Sequence, residues 1–478
     1  MTLLLVNPPG IRPGRSGSFF ADQKRNLRPE QYRSMPMEHL GIMSMAAYAR
    51  ARDVPVRTVN GLVESHESVH ETWRAMRAAG RPTLVGFSII DTIAEVVWLA
   101  ERLRRHWPDV PVVLGNVMAS LNYERIFAQY DCFDYVSLGD GEVAVTELYQ
   151  AVAGGRRDAA VPGIARQDAD GTLVATPPKL HALDELPPPA RDELPAVLGS
   201  GFSAAVYSTR GCPYRCTFCG TGAISDMLGK DSYRSRSVES VVDEIERLVR
   251  DFGVDHVSIT DDLFLSKHPN MQARAHEFAD ELLRRRVDVT FMIDARMDSV
   301  QDFSLYDKMY AAGLRRVFIG IETGSRDQLI AYRKRSVRAD EDAGEKLRAL
   351  EDRGIEIVPG TIMFHPTVTP RELRETARLL RSLTYKTPRK FLDRITAYPG
   401  TPLHAEYAAK GLLTEDWPIG RWQFADPVAA HVHEEVRARI DGDPGITFDE
   451  AEHFFLERVD AWESAVTEKA ALGSGEDS

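Results

Sequence analysis

Residues 1–153 alternate short apolar runs with longer stretches in which apolar side chains recur every three or four positions. The apolar runs predict five strands, at Leu3–Val6, Val56–Val59, Leu84–Phe87, Val112–Leu114 and Tyr135–Leu138. The stretches between them have helical spacing, as around Ile93, Val96 and Ala100. Strands separated by helices predict a doubly wound parallel, Rossmann-like sheet. Such sheets bind their ligands at the carboxyl ends of the strands.

Residues 154–200 interrupt this alternation. Ile164–Ala165 and Thr172–Val174 flank the turn dipeptide Asp170-Gly171 and predict a small hairpin. The proline-rich segments Pro177-Pro178 and Leu186–Pro189 follow, and such segments are stiff spacers. We therefore interpret residues 154–200 as a linker with a hairpin between two domains.

A second alternation occupies residues 201–410. Its apolar runs predict six strands, at Ala204–Ser208, Val257–Thr260, Val289–Ile293, Val317–Ile321, Ile355–Met363 and Leu392–Thr396. Six strand–helix units of this length predict a partial (β/α)6 barrel of the TIM type, whose chemistry lies at the carboxyl ends of its strands. Residues 411–478 predict a helical C-terminal region that ends in a polar tail, which we expect to be disordered.

Composition narrows the possible partners. The chain has 478 residues, with 59 basic and 71 acidic side chains and a net charge of −12. Nucleic-acid binders usually carry a basic surface, so we expect no nucleic-acid partner. We expect no membrane partner, because no apolar run reaches the ~20 residues that span a bilayer. The start lacks a charged leader, so we expect a cytoplasmic protein. Oligomeric state is not predicted.

Three of the four cysteines stand close together, as Cys212, Cys216 and Cys219 in a C-x3-C-x2-C pattern. Four cysteines cannot form a disulfide framework for a chain of this length. Three cysteines so close together are typical of a metal or cluster site. A structural zinc ion is one alternative, but zinc prefers four protein ligands. Along the chain the next candidates are as distant as Cys132 and His256. A cluster held by three thiolates would instead leave one iron open.

With Phe218 before the last cysteine, this segment resembles the signature of the radical S-adenosylmethionine (SAM) superfamily. The resemblance implies a [4Fe–4S] cluster on Cys212, Cys216 and Cys219, with SAM bound to the open iron. Reductive cleavage of SAM would give a 5′-deoxyadenosyl radical that takes hydrogen from the substrate. An external reductant of the flavodoxin or ferredoxin type is implied as well.

Later segments resemble the strand ends that bind SAM in this superfamily. Asp262 follows the second barrel strand, where acidic groups help to hold the amino end of SAM. Arg296 follows the third strand, where its cation would pair with the carboxylate of SAM. Glu322 ends the fourth strand. The resemblance thus implies SAM-binding roles for Phe218, Asp262, Arg296 and Glu322, and the alternatives are helix caps and surface ion pairs.

In company with that barrel, the N-terminal sheet resembles a cobalamin (B12)-binding domain. The resemblance implies cobalamin contacts from small and polar residues after the strands, namely Asn7, Pro8, Ser88, Gly115, Asn116 and Glu142. Two features depart from the cobalamin pattern. The chain lacks the Asp-x-His-x-x-Gly loop that gives some relatives a histidine ligand to cobalt, and the usual double glycine is Gly115-Asn116. A sheet that only supports the barrel is the alternative.

Together the resemblances imply a cobalamin-dependent radical SAM enzyme. In the leading interpretation it methylates an unactivated carbon of a small metabolite, in secondary metabolism. Cob(I)alamin would take a methyl group from one SAM, and a second SAM would supply the radical. Alternatives are a ring contraction, cyclisation or other rearrangement with the same cofactors, and a zinc-binding module without activity. The tRNA-modifying methylthiotransferases resemble the barrel motifs too, but they need a second three-cysteine cluster in the N-terminal domain. Only Cys132 lies there, so we reject this alternative.

Overall fold

The computed structural model describes residues 1–8, 38–61, 68–89, 93–199, 201–337 and 341–473. The end of the predicted disordered tail, residues 474–478, lies outside these ranges. Among the helices that the described ranges contain, none is long and apolar enough to cross a membrane.

The strands are, in chain order, β1 (Leu3–Asn7), β2 (Val56–Asn60), β3 (Leu84–Ser88), β4 (Val112–Gly115), β5 (Tyr135–Ser137), β6 (Ile164–Gln167), β7 (Leu173–Ala175), β8 (Ala204–Val206), β9 (Thr209–Arg210), β10 (Arg234–Ser235), β11 (His256–Ile259), β12 (Thr290–Arg296), β13 (Leu314–Glu322), β14 (Glu356–Thr361), β15 (Leu413–Glu415) and β16 (Arg421–Trp422).

The α-helices are α1 (Leu40–Arg50), α2 (Val69–Ala78), α3 (Ala94–His106), α4 (Val117–Leu121), α5 (Tyr123–Gln129), α6 (Gly141–Ala153), α7 (Leu194–Gly199), α8 (Gly220–Leu228), α9 (Val238–Phe252), α10 (Pro269–Arg285), α11 (Phe303–Ala311), α12 (Arg326–Ala331), α13 (Glu341–Glu351), α14 (Pro370–Ser382), α15 (Pro402–Ala409), α16 (Pro427–Gly442) and α17 (Phe448–Gly473). Short 3-10 helices cover Leu183–Glu185, Lys230–Ser232, Met297–Ser299 and Pro388–Leu392.

The N-terminal sheet has the order β2-β1-β3-β4-β5-β6-β7. Its first five strands are parallel, which confirms the predicted doubly wound sheet. The predicted hairpin is present as β6 and β7, and it extends the sheet because β6 pairs antiparallel with β5. Gly86 on β3 leaves room for the Leu5 side chain on β1, since a Cβ there would come within 2.9 Å of Leu5 Cδ2. Helices α1 and α6 pack together over one face of this sheet, with Met43, Ala46 and Leu148 in the core.

The chain divides into two compact units. The first comprises 1–215, 219–264 and 277–292, and the second comprises 216–218, 265–276 and 293–478. In the first unit β8, β11 and the first residues of β12 pair in parallel, with Val257 opposite Ala204 and Phe291. In the second unit β13 and β14 pair in parallel. Together with the N-terminal sheet, these strands confirm the predicted α/β class and partial barrel.

The sixth predicted barrel strand, Leu392–Thr396, is wrong as a strand. The 3-10 helix Pro388–Leu392 ends there, and a single parallel bridge joins Phe364 and Arg394. Arg394 stacks on the Trp422 ring at 3.9 Å, and its Nη2 donates to Trp422 O. Contacts to the C-terminal region therefore take the place of a longer ladder. That region contains α16 and α17, as predicted, and the small β15–β16 hairpin.

Candidate active site

A cavity of about 410 Å³ lies at the carboxyl ends of the N-terminal strands, within the first unit. Four predicted cobalamin contacts line it, namely Ser88, Gly115, Asn116 and Glu142. Other parts of its wall come from the start of the barrel, namely Tyr207, Thr209, Arg210, Thr260 and Asp262. The cavity is therefore bordered both by the cobalamin-type strand ends and by the residues that lead into the cysteine segment.

Asn116 adopts the backbone conformation that a glycine would supply. Its φ is 90° and its ψ is 170°, a backbone conformation that residues other than glycine rarely adopt. Its Oδ1 accepts a hydrogen bond from Val117 N at 2.6 Å, and its Nδ2 donates to Ser88 Oγ at 3.0 Å. The Gly115-Asn116 departure thus preserves a glycine-like chain path.

Gly115 keeps the backbone accessible at the wall of the cavity. A Cβ placed on Gly115 would have its nearest neighbours, Phe87 O and Ser137 Cβ, 3.9 Å away. These distances are ordinary van der Waals contacts, so a side chain would fit here, but it would cover the backbone that a glycine leaves accessible. The residues present therefore suit the cobalamin that the resemblance implies.

Asn7 and Pro8, the other two predicted cobalamin contacts, are placed differently. Asn7 ends β1 and is 1% exposed, and its Nδ2 donates to Asn60 Oδ1 on β2 at 2.9 Å. Pro8 is buried too. Neither residue is among those that line the cavity. The structure thus brings together four of the six predicted contacts.

Asp261 positions the approach to the cysteine segment, a role that the sequence analysis missed. It is buried, and its Oδ1 accepts hydrogen bonds from the backbone nitrogens of Ser208 (2.6 Å) and Thr209 (2.9 Å). Its Oδ2 accepts from the Ser208 hydroxyl. The sequence signal for this role is the pair of acidic residues that follows the strand, Asp261 and Asp262.

Asp262 itself is exposed at the cavity wall. Its Oδ1 accepts a hydrogen bond from Thr221 Oγ1, at the start of α8, over 2.7 Å. Thr221 follows Cys219 by two residues. Asp262 therefore places a carboxylate in the cavity while it is tied to the helix that begins after the last cysteine.

Arg210 is held by acidic residues of the N-terminal domain. It forms ion pairs with Glu142 and Asp140, and its guanidinium lies 4.7 Å from the Tyr207 ring centre. Arg234 also pairs with Asp140, at 2.7 Å. Glu142, a predicted cobalamin contact, thus has a structural partner in the cavity wall.

A glycine turn and hydrogen bonds from Arg215 shape the loop that contains Cys212 and Cys219. Gly211 has a φ of +76°, and a Cβ there would lie 2.6 Å from Ser232 O. Arg215 Nη1 donates to Cys212 O at 2.6 Å and to Tyr214 O at 3.1 Å, which curls the loop back on itself. Cys219 is the N-cap of α8. Both thiols are half-buried.

The middle of the cysteine segment, residues 216–218, belongs to the second unit. Thr217 N donates to Tyr332 O at 3.3 Å, and Thr217 O accepts from Leu403 N at 2.9 Å. The Phe218 ring meets the Tyr332 ring edge-on, with 5.1 Å between ring centres. Phe218, predicted to bind SAM, thus also fixes its own loop against α12.

Arg296 lies beside Cys216. Its Nη1 donates to Cys216 Sγ at 3.8 Å, and its side chain is almost fully buried. Its Nε faces Asp298 Oδ2 at 3.4 Å, and its Nη2 donates to Ser336 Oγ at 3.3 Å. The predicted partner of the SAM carboxylate is therefore oriented toward a thiol that is predicted to bind the cluster.

Glu322 is paired with a lysine that the sequence analysis did not single out. Lys334 Nζ, which is buried, donates to Glu322 Oε1 and also to Gly320 O at 3.2 Å. Glu322 has a φ of +72°, an uncommon conformation for a residue with a side chain. Lys334 follows Glu322 by twelve residues, beyond α12, so only the tertiary fold brings the two together.

The thiols of the loop have the chemistry of cluster ligands. Soft thiolates are the donors that iron–sulfur clusters use. Within the ranges that the structure describes, no three His, Cys, Asp or Glu side chains, those of the loop cysteines included, are grouped closely enough to hold a metal ion. Cys132 differs from the loop cysteines, because burial raises the pKa of its thiol to about 11.

Comparisons with known proteins agree with this architecture. Residues 206–380 match the Radical SAM superfamily, and residues 33–149 match the B12 binding domain. The chain is 24% identical over 403 residues to an uncharacterized methyltransferase of Pyrococcus horikoshii, covering 82% of this chain and 83% of that protein. It is 29% identical over 363 residues to the anaerobic magnesium-protoporphyrin IX monomethyl ester cyclase of Rubrivivax gelatinosus, covering 73% of this chain and 62% of that protein.

A solved structure of the same fold is the cobalamin-dependent S-adenosylmethionine radical enzyme OxsB with aqua-cobalamin bound. Its TM-score is 0.74 at 19% identity, over 93% of this chain and 67% of that one. The two matched domains define a class, that of enzymes with a B12-binding domain followed by a radical SAM domain. This chain contains both domains, the combination found in cobalamin-dependent radical SAM enzymes, whose cofactors are a [4Fe–4S] cluster, SAM and cobalamin.

Proposed function

We propose that this enzyme methylates an unactivated carbon of a small molecule. The observation that carries the proposal is the single cavity lined both by Ser88, Gly115 and Asn116 and by Arg210 and Asp262. A substrate there would lie between a corrin on the strand ends and the start of the cysteine segment, so the reacting groups would be near one another. The similarity to a methyltransferase of P. horikoshii supports this choice.

Each part of the chain has a proposed role. Cys212, Cys216 and Cys219 would hold the cluster, and Phe218, Asp262, Arg296 and Glu322 would surround SAM. Once bound, the cluster and SAM supply hydrogen abstraction, and the corrin supplies the methyl group. Asp261 keeps the chain path into the loop through its bonds to Ser208 and Thr209. Asp262 would offer a hydrogen-bond acceptor at the cavity wall.

A second candidate is a cyclisation or rearrangement with the same cofactors. The similarity to a magnesium-protoporphyrin ester cyclase, at 29% identity, supports this alternative. The cofactor-binding residues would be the same in both reactions, because they hold cofactors rather than determine the fate of the substrate radical.

Analysis of the products of SAM separates the two candidates. The full-length protein would be reconstituted anaerobically with iron, sulfide and cobalamin, then supplied with SAM, candidate substrates and a strong one-electron reductant. Methylation requires S-adenosylhomocysteine together with 5′-deoxyadenosine, and a product enlarged by one carbon and two hydrogens. Product formed with 5′-deoxyadenosine alone would refute methylation and favour rearrangement. Zinc in place of iron after reconstitution would refute both.

We also propose that a flavodoxin or ferredoxin reduces the cluster, and that the enzyme works in the cytoplasm. A reducing compartment suits thiolate ligands, which oxidising surroundings would convert to disulfides. Replacing the chemical reductant with purified flavodoxin or ferredoxin and its reductase should sustain SAM cleavage. Failure of both carriers would contradict this part of the proposal.

A further inference from the structure

His39 caps helix α1 at the edge of the cavity. Its Nδ1 accepts a hydrogen bond from Ile42 N at 3.2 Å, so this nitrogen carries no proton. Desolvation lowers the pKa of His39 to about 4, so the ring is neutral at physiological pH. A neutral imidazole with a bare Nδ1 carries its proton on Nε2. This nitrogen lies 2.8 Å from Ser88 Oγ and therefore donates to it.

Ser88 Oγ receives a second hydrogen bond from Asn116. The Asn116 amide has only one consistent orientation, because its Oδ1 accepts from Val117 N and leaves Nδ2 to donate to Ser88. Ser88 thus accepts two hydrogen bonds, from His39 and Asn116. A hydroxyl has two lone pairs and one hydrogen, so the hydrogen of Ser88 must point away from both donors.

Ser88, His39 and Asn116 all line the cavity. We propose that His39 is a positioning residue of the cobalamin site, which fixes the Ser88 hydroxyl as a hydrogen-bond donor to an acceptor atom of cobalamin. That acceptor is a side-chain amide oxygen of the corrin or a base nitrogen of its nucleotide tail. This inference rests on the proposed cobalamin-dependent function, and it assigns His39 a role beyond capping α1.

The decisive variant is His39→Asn. Asparagine is a good N-cap, so it keeps an acceptor for the first turn of α1, but it is too short to reach Ser88 in the same way. Ser88→Ala removes the hydroxyl itself. Ser68→Ala is the matched control, because Ser68 caps α2 with a comparable side-chain bond and does not line the cavity.

The experiment measures the dissociation constant of hydroxocobalamin for the reconstituted full-length protein by absorbance titration. We expect H39N and S88A each to weaken binding about ten-fold, the worth of one hydrogen bond to a buried partner. The double variant H39N/S88A should bind no more weakly than S88A alone, because both changes remove the same interaction. S68A should bind like wild type.

Cobinamide, which lacks the nucleotide tail, locates the acceptor. If H39N weakens cobinamide binding as well, the acceptor is a corrin amide; if it weakens cobalamin binding only, the acceptor is the nucleotide base. Either result supports the inference. Wild-type affinity for both ligands in H39N, with S88A weakened, would overturn it. Wild-type protein that binds no cobalamin would instead refute the cobalamin-dependent function itself.

Discussion

Arg296 contacts both a cysteine thiol and a carboxylate in this site. Its guanidinium donates to the Cys216 sulfur at 3.8 Å and faces the Asp298 carboxylate at 3.4 Å. Hydrogen bonds to cluster sulfurs are among the features that set the reduction potential of an iron–sulfur cluster. A cation at this place would therefore favour the reduced form of a cluster bound to this thiol.

Replacing Arg296 by Gln should lower the midpoint potential of the reconstituted cluster. Loss of one charged hydrogen bond corresponds to about 60 mV for one electron. Arg296→Lys should give a smaller shift, because it keeps the charge but loses the planar fork. Redox titration followed by electron paramagnetic resonance measures the shift, and iron content serves as the control. An unchanged potential in R296Q at full iron content would contradict this role.

Asp140 gives the site a pH-dependent contribution to stability. Burial alone would raise the pKa of Asp140, but the charges of Arg210 and Arg234 and the bond from Arg234 hold it below its ordinary value of 3.8. A lowered pKa means that the stabilisation is present above the ordinary value and is lost as pH falls through the folded-state pKa.

Asp140→Asn should therefore destabilise the protein by about 2 kcal/mol at neutral pH, since it leaves two cations short of a partner. The difference in the free energy of unfolding between the variant and the wild type should stay constant down to about pH 5. It should become smaller only in stronger acid. Denaturant unfolding at several pH values measures it. Asp109→Asn, in an exposed pair with Arg81, is the matched control and should have little effect. A difference in unfolding free energy that grows in acid would refute the stabilising role of the ionised Asp140 carboxylate.

Some residues of the site could be predicted from sequence and others could not. The cysteine spacing is local, so a short stretch of sequence contains the whole signal. The partners of Asp261, Arg210 and Glu322 are distant along the chain: Glu142 precedes Arg210 by 68 residues. Such pairs depend on how strands align, which periodicity does not specify. The same limit applies to His39, whose bond to Ser88 spans 49 residues.

At the scale of elements, the strands and helices of the N-terminal domain were predictable because buried parallel strands are continuous apolar runs. All five predicted strands are present, each with its carboxyl end shifted by one residue. The predicted sixth barrel strand, Leu392–Thr396, is not such a run, because only Leu392 and Ile395 in it are apolar. Pro388 begins a 3-10 helix that ends at Leu392, and Arg394 stacks on Trp422 of the C-terminal region.

The turn before Cys212 is an element that requires a glycine. Gly211→Ala would force a Cβ to within 2.6 Å of Ser232 O at a positive φ, so it should destabilise the loop by about 2 kcal/mol. We expect a lower melting temperature and fewer iron atoms per chain after reconstitution. Gly229→Ala is the matched control, since its φ is +87° but a Cβ there meets nothing within 4 Å. Equal losses in both variants would show that strain alone, and not the contact, is responsible.

At the scale of the whole molecule, the chain contains two matched domains and two compact units, and their boundaries differ. The first unit includes the N-terminal sheet, the start of the barrel and the complete cavity. The predicted division into residues 1–153, 154–200, 201–410 and 411–478 stays a prediction. The boundary predicted after residue 153 separates strands of one sheet, because the hairpin in the predicted linker pairs with β5 of the N-terminal sheet.

Cluster binding and cobalamin binding should be separable in variants of the whole protein. Cys212→Ala, Cys216→Ala and Cys219→Ala should each lose most of the iron and all SAM cleavage, yet still bind cobalamin, because the cysteines do not line the cavity. Cys132→Ala should keep both, since this buried thiol is remote in sequence and has a raised pKa. Iron assay and cobalamin absorbance measure the two separately. Full SAM cleavage by any of the three loop variants would refute the cluster assignment.

The position of Arg210 has a consequence for how the holoenzyme is assembled. This residue stands in the cavity wall, pairs with Glu142, and precedes Cys212 by only two residues. A ligand that fills the cavity would restrict the motion of the strand that leads into the loop, and a metal centre on the loop would restrict the cavity wall. Because such linkage is reciprocal, either loading step should make the other more favourable. Maturation of this enzyme would then favour the fully loaded form, although each cofactor could still bind without the other.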